Sequence, residues 1–351
     1  MYFVFCFKLD KMIRHIKYLF YLLVVVGVVS CSEKKVYETP YTVMFYNVEN
    51  LFDTIDTRDK IDEEFLPDAP KKWNTNRYDK KMDDLARVIS SVDTVQLPIL
   101  LGVCEIENNI VLQDLVSQPL LASANYEFVW EDGPDRRGID CALIYNPSVF
   151  IPVETESLTI TDPGDEFFIT RDILYVEGII DDEIFHVFVN HWPSRRGGQL
   201  ESEPNRILAA NVLKNRVNEI FEKDGQANII ILGDMNDEPS NMSISDVLIA
   251  LPNNYQPEDQ QLVNLMYDEY ENDKGSYNYR GDWNMIDNII VSGALINKDK
   301  GLKSPLDNGY VFHEPFMEYV NDGGEMSPNR TYGRSYYGGI SDHFPVYMIL
   351  E

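Results

Sequence analysis

The chain is short of positive charge: 30 lysines and arginines stand against 58 aspartates and glutamates, giving a formal charge of −28 over 351 residues. That balance excludes a broad basic face, and with it the counterion-release affinity by which proteins grip nucleic-acid backbones unaided. A phosphate ester approaching such a protein needs a bound cation between it and the carboxylates. Cysteine is sparse, at four residues, and histidine at five. They form no Cys/His cluster, which argues against a zinc site. No long segment repeats and no low-complexity tract interrupts the chain, so solenoids and disordered polymers are excluded. The long apolar run near the amino terminus, Tyr18 to Val29, is shorter than a comfortable membrane span. What is present suits a packed globule: 44% of residues are hydrophobic and 12% aromatic, in a chain long enough for one large domain or two ordinary ones.

The first forty residues stand apart. Lys8, Lys11, Arg14 and Lys17 precede the apolar run, which closes on Val28-Val29-Ser30-Cys31. That ending resembles a bacterial lipoprotein cleavage box, in which the cysteine is lipidated and becomes the mature first residue. Residues 1–30 are therefore expected to be a signal peptide and residues 31–40 a polar tether, with an uncleaved signal anchor as the alternative. Ser32 after the cysteine points to the outer membrane of a Gram-negative cell, facing either the periplasm or the surface. Met12 offers an alternative start. Loss of residues 1–30 removes four basic residues and Asp10, leaving a mature charge of about −31. Cys104 and Cys141 then remain, and fit either a disulfide or two buried thiols in neighbouring strands.

Residues 41–351 read as alternating strands and helices. Thr42–Val48, Leu97–Val103, Ile139–Tyr145, Asn228–Leu232, Met285–Val291 and Pro345–Leu350 are short apolar runs with the character of strands covered on both faces. Ile173–Ile180 and Ile184–Val189 flank a turn and predict a hairpin. Helical spacing appears over 76–92, through Met82, Leu85, Val88 and Ile89, and over 200–223, through Leu208, Val212, Leu213, Val217 and Phe221. The pattern predicts one α/β domain with sheets between helices. The stretch 321–340, rich in Gly and Tyr, is expected to be a mobile loop.

Polar residues recur where these strands end: Asn47, Glu105, Asn190-His191, Asp234 with Asn236, Asp287 and Asp342-His343. In layered α/β proteins such ends converge on a site. Singly, Gly233-Asp234-Met235-Asn236 is an ordinary turn and Glu105 an ordinary surface acid. Their serial placement is what points to metal-assisted chemistry on a phosphate.

Together these segments resemble the endonuclease/exonuclease/phosphatase superfamily, over about residues 41–350. The matching strings are Asn47-Val48-Glu49-Asn50-Leu51-Phe52-Asp53, Arg137-Gly138-Ile139-Asp140, Gly233-Asp234-Met235-Asn236, Ser341-Asp342-His343, and Asn190-His191 followed by Ser-Arg-Arg-Gly-Gly. The resemblance implies a four-layered α/β sandwich, two mainly antiparallel or mixed sheets packed face to face and flanked by helices. It implies Glu105, Asn47 and Asp342 as ligands of Mg²⁺, with Mn²⁺ or Ca²⁺ as substitutes. His343 would pair with Asp287, Asp234 would orient or deprotonate water, Asn236 would hold a phosphate oxygen, and His191 would contact the scissile phosphate and protonate the leaving group. Asn190, Tyr145, Arg171, Arg195 and Trp283 complete the expected substrate contacts. Either Asp234 or His343 is the formal base. Cys104 stands where relatives commonly carry glutamine, which removes an amide behind the metal glutamate.

Three functions remain open at this point. The first is a lipid-anchored nuclease or phosphodiesterase acting as a monomer on a phosphate ester, DNA or RNA included. The second is a phosphatase or phospholipase-like enzyme for sugar, inositol or lipid phosphates. The third is a non-catalytic binding lipoprotein.

Overall fold

A computed structural model describes residues 38–351, so the expected signal peptide, Cys31 and most of the tether lie outside the described residues. Seventeen strands run in chain order as β1 (Tyr41–Leu51), β2 (Leu100–Ile106), β3 (Glu127–Trp130), β4 (Asp140–Tyr145), β5 (Ile151–Leu158), β6 (Ile173–Ile180), β7 (Glu183–His191), β8 (Asn228–Asp234), β9 (Ala250–Pro252), β10 (Leu262–Asn264), β11 (Tyr277–Tyr279), β12 (Asp282–Asn284), β13 (Asp287–Ser292), β14 (Tyr310–Val311), β15 (Glu318–Val320), β16 (Met326–Pro328) and β17 (Val346–Leu350). The three long helices are α1 (Thr75–Val92), α2 (Asn109–Val116) and α3 (Gln199–Lys223).

Two mixed sheets carry the fold. One has the order β14-β17-β1-β2-β4-β3 and the other β5-β6-β7-β8-β13-β10-β9. Within them only β1/β2, β7/β8 and β9/β10 pair in parallel. Because strand side chains alternate, each central strand serves two layers at once. In β1, Val43 and Phe45 face the second sheet, while Met44, Tyr46 and Val48 face the helices. In β8, Ile230 and Leu232 meet the first sheet, and Ile229 and Ile231 meet the α3 side. This is why both strands read as continuous apolar runs. Three cores follow: one between the sheets, one with α1 and α2, and one with α3. The expected four-layered sandwich is therefore what forms, with each fully buried large side chain contributing about 1.5–3 kcal/mol.

The two thiols are resolved as well. Cys104 and Cys141 sit opposite one another on β2 and β4, free and buried among the residues between the sheets. The stretch 321–340 departs from expectation. It contains β16, which pairs with β15, and its remainder is tied down from beneath. Thr331 and Tyr332 donate their amides to the buried Glu49 carboxylate at 2.6 and 3.1 Å. Lys81 of α1 donates to Glu49 O, Thr331 Oγ1 and Ile340 O at 2.6, 2.8 and 3.1 Å.

Candidate active site

The parallel pairs β1/β2 and β7/β8 end at the same edge of the sandwich, where antiparallel β13 and β17 begin. Topology alone thus gathers most of the strand-end residues. Local irregularity aims the rest. β1 and β2 lose register between Asn47 and Leu51, and β2 and β4 between Cys104 and Ile106. At the second shift Glu105 takes φ = 65°, and at the first Glu49 and Asn50 take 50° and 48°. Left-handed backbone costs a non-glycine residue about 1–3 kcal/mol and collects where a bulge must re-aim a side chain. Here it brings Glu105 Oε2 to the Asn50 amide at 2.6 Å and Oε1 to within 3.9 Å of His191 Nε2.

On the second sheet, His191, Asp234 and Asp287 are register partners on β7, β8 and β13. Gly233 makes the row close-fitting. A Cβ there would lie 2.5 Å from Asn190 Cβ and 2.7 Å from Asn190 O. Asp234 Oδ2 stands at the centre, 3.7 Å from His191 Nε2, 3.8 Å from His343 Nε2 and 3.0 Å from Asn47 Nδ2. Burial pushes its carboxyl upward, His343 opposes this and Asp287 adds to it. Asn236, at φ = 49°, gives its amide N–H to Asp234 Oδ1 and its side-chain nitrogen to Trp192 O.

His343 arrives from the chain just before β17. Ser341 Oγ donates to Asn47 O at 2.7 Å and accepts the His343 amide, locking this corner onto β1. His343 Nδ1 lies 2.7 Å from the Oδ2 of fully buried Asp287. Burial disfavours the charged ring, but the carboxylates of Asp287, Asp234 and Asp342 outweigh it and hold the imidazole well above its ordinary value. His191 goes the other way. Burial, then the Arg171 and Arg137 guanidinium groups, hold it well below that value, and its buried Nδ1 has no partner.

Above these groups opens a cleft of about 720 Å³. Glu105, Asp234, Asp342, His191 and His343 form its floor, and Arg137, Arg171, Arg195 and Arg196 stand along it. Arg171 is committed to the carbonyls of His191 and Trp192, at 3.2 and 2.6 Å. Arg195 is committed to Asn236 O, Asn284 Oδ1 and Asn241 Oδ1. Both build the wall as much as they face the cleft.

Three expected substrate contacts are not brought to it. Tyr145 lies at the opposite end of its sheet: β4 runs antiparallel to β2, so Tyr145 pairs with Leu100 while Asp140 pairs beside Glu105, and its hydroxyl donates to Glu127. Asn190 is wholly buried, bridging Leu232 O and the Trp192 indole. Trp283 stacks on Phe344 at 5.7 Å, because β12 alternation turns its neighbours Asp282 and Asn284 to the cleft and Trp283 away. Conversely, Glu49, Lys81, Ser341 and Arg330 matter more than their sequence surroundings suggest. Arg330 lies 3.0 Å from Asp342 Oδ2 and 3.6 Å from Glu49 Oε1. One signal was available: Lys81 interrupts the apolar stripe of α1 beside Tyr78, Met82 and Leu85.

The donor set fits a hard divalent cation. Asp234, Asp287 and His343 place ligand atoms within 4.8 Å of one another. Asp287 Oδ2 and His343 Nδ1, however, are spent on each other, and only His343 Nε2 remains towards Asp234. On the floor, the carboxylate oxygens that face the cleft are those of Glu105, Asp234 and Asp342, with Asn47 beneath. Closely set oxygen donors at the floor of the cleft suit oxygen-seeking cations.

No curated protein sequence matches the chain. Solved structures share the fold. Humanized D. rerio TDP2 aligns at 15% identity and a TM-score of 0.55, over 90% of this chain and 100% of that one. The human Nocturnin catalytic domain aligns at 15% and 0.53, over 90% and 95%. A mannosyl-6-phosphatase of Bacteroides thetaiotaomicron aligns at 16% and 0.55, over 89% and 99%. The family described as Endonuclease/Exonuclease/phosphatase matches residues 42–351. With that span and the edge-on constellation of Asn47, Glu105, His191, Asp234, Asp287 and His343, the chain belongs to the endonuclease/exonuclease/phosphatase family of metal-dependent hydrolases acting on phosphate esters.

Proposed function

We propose that the protein is a Mg²⁺-dependent phosphodiesterase, with Mn²⁺ or Ca²⁺ as substitute cations, working as a monomer and held to the outer membrane through lipidated Cys31. The observation that carries the reading is the placing of Asp234 Oδ2 within 4 Å of two imidazoles whose proton affinities are pushed apart. Pairs of titratable groups driven in opposite directions mark acid and base roles. Asp234 accepts a proton from the water whose oxygen bonds to phosphorus. As that bond forms, the ester P–O bond breaks, and the departing oxygen takes the proton of the His343 imidazolium. Asp287 fixes which nitrogen of that ring faces the cleft. Neutral His191 contributes a hydrogen bond to a phosphoryl oxygen, Asn236 steadies another, and the unpartnered Arg196 guanidinium meets the anion as it enters. A cation held by Glu105, Asn47 and Asp342 would neutralise charge building on the phosphoryl oxygens.

The acidic exterior favours small or single-stranded esters over duplexes, since it offers no continuous basic track. The purified protein should be assayed with each cation on a bis-aryl phosphate, a mono-aryl phosphate, RNA and plasmid. Diester turnover that needs a divalent cation, and that falls at least about 100-fold in Glu105→Gln and His343→Ala, is the expected result. Monoester turnover alone would replace this reading with a sugar- or inositol-phosphate phosphatase, the Bacteroides neighbour being named for a sugar phosphatase.

A further inference from the structure

A second cavity, of about 310 Å³, opens beside the catalytic cleft and shares two residues with it, Tyr277 and Asp342. Its size falls at the lower end of the range used by small-molecule sites. Its walls are the two hairpins β11–β12 and β15–β16, which bring Arg280 and Tyr319 to its rim, and the chain after β16, which brings Arg330. Tyr277 forms the partition. It makes a β-bridge to His343, and its ring lies 4.9 Å from the imidazole. The groups that act on phosphorus therefore stand at the junction of two pockets, not at the bottom of one.

The chemistry of this second cavity is specific. Tyr319 is 57% exposed and stacks on no other ring among the described residues, and its position is fixed by the pairing of Glu318 with Pro328 and Val320 with Met326. Among the described residues Arg280 makes no ion pair; its guanidinium lies 5.1 Å from the centre of the Tyr279 ring. Arg330 is held by Asp342 and Glu49. An open aromatic face and a guanidinium outside any ion pair, lining one cavity, are what a nucleobase and its flanking phosphate require. A monoester would fill only one pocket, whereas a diester carries a substituent on each side of phosphorus.

We infer that the cavity between the β11–β12 and β15–β16 hairpins is a subsite for one nucleoside arm of a phosphodiester, stacked on Tyr319 and drawn in by Arg280. The inference rests on the phosphodiesterase reading of the same site, and it narrows the substrate class to nucleotidyl esters.

The test compares two diesters with the purified protein and Mg²⁺: a dinucleoside monophosphate, and methyl p-nitrophenyl phosphate, which has no nucleoside. Tyr319→Ala and Arg280→Ala should each lower the ratio of kcat/KM values, dinucleotide over aryl ester, by about tenfold, as loss of one base stack or phosphate contact does. Tyr255→Ala removes a tyrosine that is 62% exposed and outside both cavities, and should leave that ratio as it is. A fall in either subsite variant supports the assignment, and ratios within about twofold of wild type in both overturn it. If neither diester turns over with Mg²⁺, Mn²⁺ or Ca²⁺, the phosphodiesterase reading is what fails. Calorimetric titration with a nucleoside monophosphate then still reads the subsite. Weaker binding in Tyr319→Ala sustains it, and equal affinity ends it.

Discussion

Asp287→Asn isolates the pair on which the proposed chemistry turns. The side chain keeps its shape, and Ser276 Oγ, which donates to Oδ2 in the native site, still has an oxygen to meet. What is lost is the charge 2.7 Å from His343 Nδ1 in a fully buried setting. A hydrogen bond to a charged group contributes about 1.5–3 kcal/mol against about 0.5–1.5 for a neutral one. Coulomb energy at an effective dielectric of 20, taken over about 4 Å between the centres of the two delocalised charges, sets an upper end of about 4 kcal/mol. The resulting window of about 1.5–4 kcal/mol corresponds to roughly 10- to 1,000-fold in rate, centred near 100-fold. The direction on the pH axis follows from the same balance. Burial works against the charged ring and the carboxylates work for it, so deleting the nearest carboxylate lets burial prevail. The ring then loses its proton at lower pH, and the alkaline limb of the kcat profile moves towards acid. The assay is kcat and KM against pH on a bis-aryl phosphate at saturating Mg²⁺, with thermal melting to confirm the fold. A kcat within about threefold of wild type, or a limb that does not move, would refute the assignment of His343 as the acid held by Asp287.

The other predictions concern the scaffold and the cleft. Gly233→Ala should lower the melting temperature and kcat together, at a cost of about 1–3 kcal/mol, because its Cβ would drive β7 and β8 apart at the row holding His191 and Asp234. Asp140, pushed up to about 7 chiefly by burial, binds its proton more tightly folded than unfolded. Its contribution to stability is therefore full below about pH 4 and lost as pH rises through about 7. Asp140→Asn should raise the melting temperature at pH 8 relative to wild type by more than it does at pH 4. Arg196→Ala should raise KM about three- to tenfold with kcat kept. Arg195→Ala should lower kcat as well, since it releases Asn236 O, Asn284 and Asn241.

Strands were legible wherever one residue run had to satisfy two cores, because continuous apolarity leaves little other reading. β1, β8 and β13 were placed to within a few residues on that ground. The polar residues at their ends were legible for the same reason, since an acid following a buried strand has nowhere to go but its rim. Direction was the weak point. Tyr145 and Asp140 stand at opposite ends of one strand, and nothing local says which end meets Glu105 until β2 and β4 are known to run antiparallel. Trp283 failed for a related reason: in a short hairpin a one-residue difference decides which face is wet. Glu49 lies two residues after Asn47, yet its target, the amides of Thr331 and Tyr332, is some 280 positions away. The stretch 321–340 looked loose because its restraints come from α1 and β1 and not from its own composition.

The row formed by His191, Asp234 and Asp287 works as a ruler. Its graduations are strand spacings of about 4.8 Å, fixed by backbone hydrogen bonds and indifferent to the loops above. The β15–β16 hairpin can therefore be lengthened or traded while the spacing of His191, Asp234 and Asp287 stays put, whereas β11, bridged to His343 through Tyr277, belongs to the part that holds the acid. For an engineer, that makes the rim the editable part of the molecule and the three strands beneath it, with β11, the part to leave alone.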